Sequence, residues 1–360
     1  MIDFPSNPSV GQTFTAAGVT WIWDGVKWLP SGLSPTVVPG INDNRIINGD
    51  MRIDQRNNGV GTTPVAGTYC IDRWKYSSTQ AGKFTSQNAP GGALLSAAGF
   101  GYYLGLGSTS AYIPLASDFF QINQPIEADF VADFAFGTAN AQPITLSFLV
   151  YSSLTGAFGG SITNAGATRS YPFTYQIPTA NTWTKIAVTI PGDTAGTWTL
   201  QGNAAGIVVH FDLGSGATFR GPAGAWASVN YCGATGTANV VAVNGASFNL
   251  TGVKLEIGSV ATPFNRQSLA KTLVDCQRYY QIGGWGLGGY GSTTGTVYSY
   301  TPFQVAMRAS PTLGYSVNSI VNITSGAPTP GSQYGFVTNV VVTANGAFLI
   351  NGTIAADAEL

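Results

Sequence analysis

Short apolar runs of strand period, each closed by a turn signal, recur along this chain and limit what it can fold into. Residues 143–151 (PITLSFLVY) and 181–190 (NTWTKIAVTI) are rich in β-branched and aromatic side chains, and the second run stops at Pro191-Gly192-Asp193. Asp24-Gly25, Asn244-Gly245 and Asn345-Gly346 tolerate the positive φ of tight hairpins and sit inside such runs at 18–28, 240–250 and 339–350. A lone hairpin is marginal in water, so strands this short need many neighbours. The pattern predicts a mainly β chain. A small N-terminal β-hairpin module occupies 1–30 and a Pro- and Gly-rich linker 31–40. A jelly-roll-like β-sandwich covers 41–265 and closes on the strand 253–257, a short helix covers 266–283, and a C-terminal β domain covers 284–360. In the helix, Leu269, Leu273, Cys276 and Tyr280 share one face, and Gly283-Gly284 stops it.

Composition narrows the function classes. Only 9% of residues are charged, against about 25% in an ordinary soluble domain, so Gly, Thr, Ser, Asn and Gln must build the surface. With 44% hydrophobic residues a core is available, and 12% aromatic residues argue against disorder. The net charge is −1 and no basic stripe exists, which argues against nucleic-acid binding and against a polybasic membrane patch. No apolar run reaches the roughly 18 residues of a membrane helix, and the first residues lack the features of a signal peptide. Cys70, Cys232 and Cys276 are widely spaced and odd in number, and read as buried thiols of a protein made in a reducing cytoplasm.

Several groups invite a chemical reading. Glu127, Asp129 and Asp133 would share one face of a strand, with Ala128, Phe130, Ala132, Phe134 and Phe136 on the other. They are either a carboxylate pair for glycoside cleavage, a calcium site, or the solvated face of an amphipathic strand. The alternation alone accounts for the pattern and favours the solvated face. Asp54, Arg56, Asp72 and Arg73, near Trp74, read as ion pairs that fix loops in preference to a binding site. The single His210 cannot complete a common zinc set, and no Gly-x-Ser-x-Gly provides a nucleophile for it, so it reads as a hydrogen-bonded strand residue. The Gly-rich piece 283–289 lacks the Gly-Lys-Ser/Thr of a phosphate loop. No catalytic residue, cofactor or metal is expected. Trp285, Tyr290, Tyr298, Tyr300, Phe303 and Tyr315, spaced by glycines, suit receptor contact, since sugars offer C–H faces to aromatic rings; the other reading is a core or an intersubunit seam. Trp21, Trp23 and Trp28 are either a docking surface or the core of a module too small to have another.

The stretches 46–56 (IINGDMRIDQR), 69–74 (YCIDRW), 211–216 (FDLGSG), 225–228 (AWAS), 233–236 (GATG), 253–266 (VKLEIGSVATPFNR) and 276–280 (CQRYY), in this order, resemble a family of phage and prophage tail-fibre proteins. Its shared region is similar to carbohydrate-binding β-sandwiches, and the resemblance covers roughly 41–281. Residues 1–30 resemble Trp-Asp-Gly-x-Lys-Trp modules at the start of other phage structural proteins. The resemblance implies a virion appendage of a tailed phage, commonly a homotrimer. It would be held by other virion proteins near the N-terminus, through Trp21, Trp23 and Trp28. It would contact a host-surface receptor near the C-terminus. The helix face of Leu269, Leu273, Cys276 and Tyr280 reads first as a seal on the sandwich; in a trimer, Leu269, Leu273 and Tyr280 are candidates for the seam. Two rivals stand beside this reading: a head-fibre, decoration or adaptor protein with no receptor role, and a polysaccharide depolymerase. The long repetitive β-helix usual in the latter is missing.

Overall fold

Alternating apolar rows, paired face to face, organise most of the described chain. The computed structural model describes residues 4–9, 12–16, 19–23, 28–30 and 44–360, and its contacts divide into two units, Met1–Asp43 and Asn44–Leu360. The expected linker at 31–40 and the turn residues 24–27 lie outside the described residues.

In the first unit, β1 (Thr13–Ala16), β2 (Val19–Trp23) and β3 (Trp28–Pro30) form an antiparallel sheet in that order, one strand more than the hairpin reading contains. Phe4 supplies the rest of a small core. Its ring stacks on Trp28 at 5.5 Å and meets Trp21 edge-on at 5.2 Å.

The second unit opens with a sandwich. Its strands are β4 (Tyr69–Ile71), β5 (Trp74–Ser78), β6 (Phe84–Pro90), β7 (Tyr102–Ser108), β8 (Phe119–Glu127), β9 (Ile144–Ser152) and β10 (Gly156–Asn164). They continue with β11 (Ser170–Ile177), β12 (Thr184–Ile190), β13 (Ala205–Ser215), the two-residue pieces β14 (Arg220–Gly221) and β15 (Gly233–Ala234), and β16 (Ser247–Ile257). Six strands pair in the order β11-β10-β13-β8-β5-β4, and five in the order β12-β9-β16-β7-β6. The chain crosses from one sheet to the other repeatedly, as in a jelly roll. Inward rows of Val, Ile, Leu and Phe from both sheets build one core. Phe148 of β9 bridges it, touching Phe211 of β13 and Tyr175 of β11 edge-on at 5.0 Å each.

Two expected elements differ. The hairpin at 240–250 is in fact a short 3-10 turn, Val240–Ala242, followed by the start of one long strand, β16, which has a register shift between Thr251 and Lys254 and includes the expected closing strand 253–257. The backbone before β16 pairs elsewhere: Tyr112 N–H donates to Val241 O and Gly245 N–H to Ser108 O. The segment Ala128–Phe134, read as a strand, is a 3-10 helix. Its buried residues Ala128, Val131 and Phe134 follow the period of three that such a helix imposes.

After the sandwich comes α2 (Leu269–Gln277), which follows α1 (Ala93–Ala97) and is capped by Ser268, whose Oγ accepts from Lys271 N–H at 3.2 Å. It is shorter than the expected 266–283, because Tyr280 already begins β17. The remaining strands are β17 (Tyr280–Gly291), β18 (Thr296–Pro302), β19 (Thr312–Val321), β20 (Ile323–Ser332), β21 (Gly335–Val342) and β22 (Gly346–Asp357). They form two three-stranded sheets, β17-β22-β19 and β18-β21-β20. Asn345-Gly346 therefore joins strands of different sheets and makes no hairpin. The Asn345 carboxamide accepts instead from Thr293 N–H at 2.7 Å. Between the sheets Trp285, Phe336, Val340, Phe348, Ile350 and Ile354 make a second core.

Candidate ligand-binding groove

The outward face of the five-stranded sheet carries a trench whose origin is legible residue by residue. In β7 the sequence YYLGLGS turns Leu104 and Leu106 into the core and leaves Tyr103, Gly105 and Gly107 outside. In β6, Phe84, Ser86 and Asn88 turn in, and Thr85 and Gln87 turn out. The register places Gln87, Gly105, Asn249 and Tyr151 in one row across four strands, and Thr85, Gly107 and Ser247 in the next. Strands lie about 4.8 Å apart, so the side chains of Gln87 and Asn249 stand roughly 10 Å apart with only glycine between them. The result is a groove of about 380 Å³.

Tyr103 and Tyr151 line it. Trp183, just before β12 and outside the lining, meets Tyr103 at 5.6 Å and Tyr151 at 5.5 Å, and all three are half-buried. The Tyr103 ring leans over Gly105, where an added Cβ would come within 3.0 Å of Cε2 and 3.3 Å of the Asn249 Oδ1. Gln87 is held by a 2.9 Å bond from Nε2 to Gly59 O. Half-exposed rings beside carboxamides and hydroxyls form a surface that combines C–H contact with donors and acceptors of both kinds. None of the lining residues is Asp, Glu, Lys, Arg or His. A carboxylate pair for glycoside cleavage is therefore absent from this groove. Sequence reading missed the site, although the signal was present: Tyr151 and Trp183 occupy two of the clearest runs, and Tyr151 lies opposite in phase to the inward Phe148 and Val150.

The acidic trio does not converge. Glu127 is buried and paired with Arg278 at 2.8 Å, Asp129 accepts from Gly202 N–H at 2.6 Å, and Asp133 pairs with Arg45 at 2.5 Å. The solvated-strand reading of these three gives way to separate ties at a 3-10 turn. Among the described residues no group of three or more His, Cys, Asp and Glu is placed to hold a metal ion.

The aromatic set of the C-terminal sheets divides. Trp285 is 5% exposed; its Nε1 lies 3.2 Å from Ser316 O and 3.1 Å from Thr353 O, above Gly352. It is a core residue rather than a receptor contact, because alternation along β17 turns it between the sheets. Phe303 packs half-buried on Phe336, and Tyr315, half exposed, meets Trp285 edge-on at 6.2 Å. Tyr298 and Tyr300 are 68% and 52% exposed on the outer face of β18, and Tyr290 is 82% exposed at the end of β17, in the other sheet. On α2, Leu269 is exposed, Leu273 half-buried and Cys276 fully buried. Tyr280 is buried under the Arg56 guanidinium at 3.7 Å, so it faces the interior and not a seam. Trp21, Trp23 and Trp28 are half-buried against their own unit, Trp23 meeting Trp28 at 5.7 Å. His210 is a buried β13 residue whose Nε2 lies 3.0 Å from Thr163 Oγ1 and whose Nδ1 lies 2.9 Å from Gln121 Oε1; burial lowers its pKa to about 3.

The charged residues of the 46–56 and 69–74 stretches tie the sandwich to the final residues. Arg56 pairs with Asp357 at 3.0 Å and Glu359 at 3.2 Å, and Arg73 pairs with Glu359. Asp72 accepts from Gln55 N–H at 2.7 Å and Gln55 Nε2 at 2.6 Å, and burial pushes its carboxyl up to about 6.

No described protein family matches the sequence, and no curated protein does. Among solved structures the chain is similar to the enzymatically active domain of tailspike protein 4 of bacteriophage CBA120, with 14% identity, 61% of this chain covered and a TM-score of 0.33. It spans 22% of that tailspike chain. It is also similar to a CBM4 structure (10% identity, 59% of this chain, 98% of the other, TM-score 0.31). A third is the family 11 carbohydrate-binding module of Clostridium thermocellum Lic26A-Cel5E (10%, 56%, 98% and 0.28). These partial likenesses carry no function across to this chain.

Proposed function

We propose that this protein is a non-catalytic, glycan-binding subunit of a tailed-phage appendage, and that the groove over Gly105 and Gly107 receives the glycan. The observation that carries the binding half is the cross-strand row Gln87, Gly105, Asn249, Tyr151: a trench lined by Tyr103 and Tyr151, with polar rims and no acid. The virion half rests on the tail-fibre resemblance of the motifs from 46 to 280. In this reading the protein works as a homotrimer on the virion, and multiple copies turn weak single contacts into avidity. The exposed Tyr298 and Tyr300 supply additional host contact.

The test is adsorption competition. Wild-type protein added to host cells ahead of the phage should block adsorption, and Tyr151→Ala should block about tenfold less. Equal blocking by both would remove the groove from the proposal, and no blocking by the folded wild type would remove the receptor role. Light scattering at micromolar concentration should give three times the chain mass; a monomer would sink the trimer.

A further inference from the structure

We infer that the groove selects an uncharged glycan and rejects acidic ones, with Gly105 as the residue that sets the fit. The inference rests on the glycan reading of the groove and goes on to name the ligand class.

No charged side chain lines the groove, and most charges around it are paired. Along β16 the next outward residues after the shift are Lys254 and Glu256, which pair at 2.9 Å and are both buried. The segment after β16 caps them: Thr262 N–H donates to Glu256 at 2.8 Å, and the Lys254 ammonium lies 3.3 Å from Pro263 O. Near the other rim, Asp54 is occupied by Asn57 N–H at 3.0 Å and Gly59 N–H at 2.9 Å. Two cations of this face stand outside the lining: Lys185 on the edge strand β12, opposite Leu149 and one row away from Tyr151, and Lys83, just before β6 and in phase with Thr85, whose Nζ lies 4.6 Å from the centroid of the Tyr112 ring. An acidic sugar seated over Gly105 would lose hydration with no counter-charge within the lining, whereas hydroxyls and acetamido groups find Gln87, Asn249, Thr85 and Ser247. Gly105 matters because its missing side chain is the floor. Any Cβ there pushes against the Tyr103 ring, and a larger group fills the trench.

The experiment is an array of bacterial surface polysaccharides, uncharged and uronate-bearing, with each acidic polymer printed beside its carboxyl-reduced form. Full-length protein should bind neutral and carboxyl-reduced polymers at least tenfold better than the acidic parents. Tyr151→Ala should abolish these signals, and Gly105→Val, checked for folding by circular dichroism, should cut them at least tenfold. Equal or stronger binding to the acidic parents, lost in Lys185→Ala, would overturn the selectivity while leaving a glycan site in place. Full binding by folded Gly105→Val would overturn the role of Gly105. Silence of the folded wild type on every polymer would instead sink the glycan reading itself.

Discussion

Arg73 donates to Glu359 across 286 positions of sequence, and both side chains are buried. Arg73 also donates to Pro125 O at 2.6 Å, and its guanidinium lies 3.5 Å from the Tyr279 ring centroid. Its backbone sits at φ +71°, a conformation that a non-glycine residue rarely adopts and that these anchors hold in place. Removing Arg73 breaks a buried pair and leaves Glu359 with Arg56, at 3.2 Å, as its one remaining counter-charge among the described residues. Arg73→Ala should therefore cost about 3–5 kcal/mol, read as a lowered urea midpoint. A loss under about 1 kcal/mol would mean that Arg56 alone suffices to hold Glu359.

Asp72 and His210 should tilt the pH profile of stability in opposite directions. The folded pKa of Asp72, about 6, lies above the unfolded value near 3.9, so the folded state binds the extra proton. Its contribution falls as pH rises from about 4 to 6, by about 3 kcal/mol in all. For His210 the folded value of about 3 lies below the unfolded 6.5, so the unfolded state takes the proton first. Stability then falls by about 1.4 kcal/mol per pH unit below 6.5. Between pH 4 and 6 the two slopes oppose each other. Relative to wild type, Asp72→Asn should gain stability as pH rises through this window, and His210→Gln should gain as it falls. Urea midpoints at half-unit steps would show both, and parallel curves would refute the assignment.

Legibility differed by element for physical reasons. The runs ending in Tyr151 and Ile190 became strands, because period-two alternation with β-branched residues has few other solutions. The segment 125–136 alternates just as well, yet Ala128, Val131 and Phe134 also fit a period of three, and tertiary packing chose that one. Asn345-Gly346 marks a turn correctly but cannot say whether the strands it joins will pair. The outward phase of Tyr151 was legible but the groove was not, because its floor is glycine and its row is assembled from four strands between residues 87 and 249. Glu359 gave no local signal, since its partners lie at the opposite end of the described unit.

The aromatic residues of the C-terminal sheets should separate by stability. Trp285→Ala removes a core ring and should cost about 3–5 kcal/mol. Tyr298→Ser, at an exposed position of β18, should stay within about 0.5 kcal/mol. Thermal melts would decide, and a large loss from Tyr298→Ser would show that its ring is covered in the assembled protein.

Gly352→Ala should be more damaging than its size suggests. A Cβ there would stand 1.8 Å from Ser316 O, so β19 must move away from β22. The expected result is rapid limited proteolysis after residue 280 with the sandwich left intact. Protection equal to wild type would mean that β19 can shift without opening the sheet.

The placement of β22 bears on how the chain is made. It is the middle strand of its sheet, yet it follows both neighbours, β17 and β19, in sequence. During synthesis those two strands emerge with their inner edges unpaired and must wait for the strand that separates them. The sandwich can mature ahead of them, since its own strands are complete by Ile257. A ribosome that stalls between 321 and 346 would thus hold a sandwich with its strands complete but Arg73 still without Glu359, carrying two open edges, the species most exposed to pairing with a neighbouring copy.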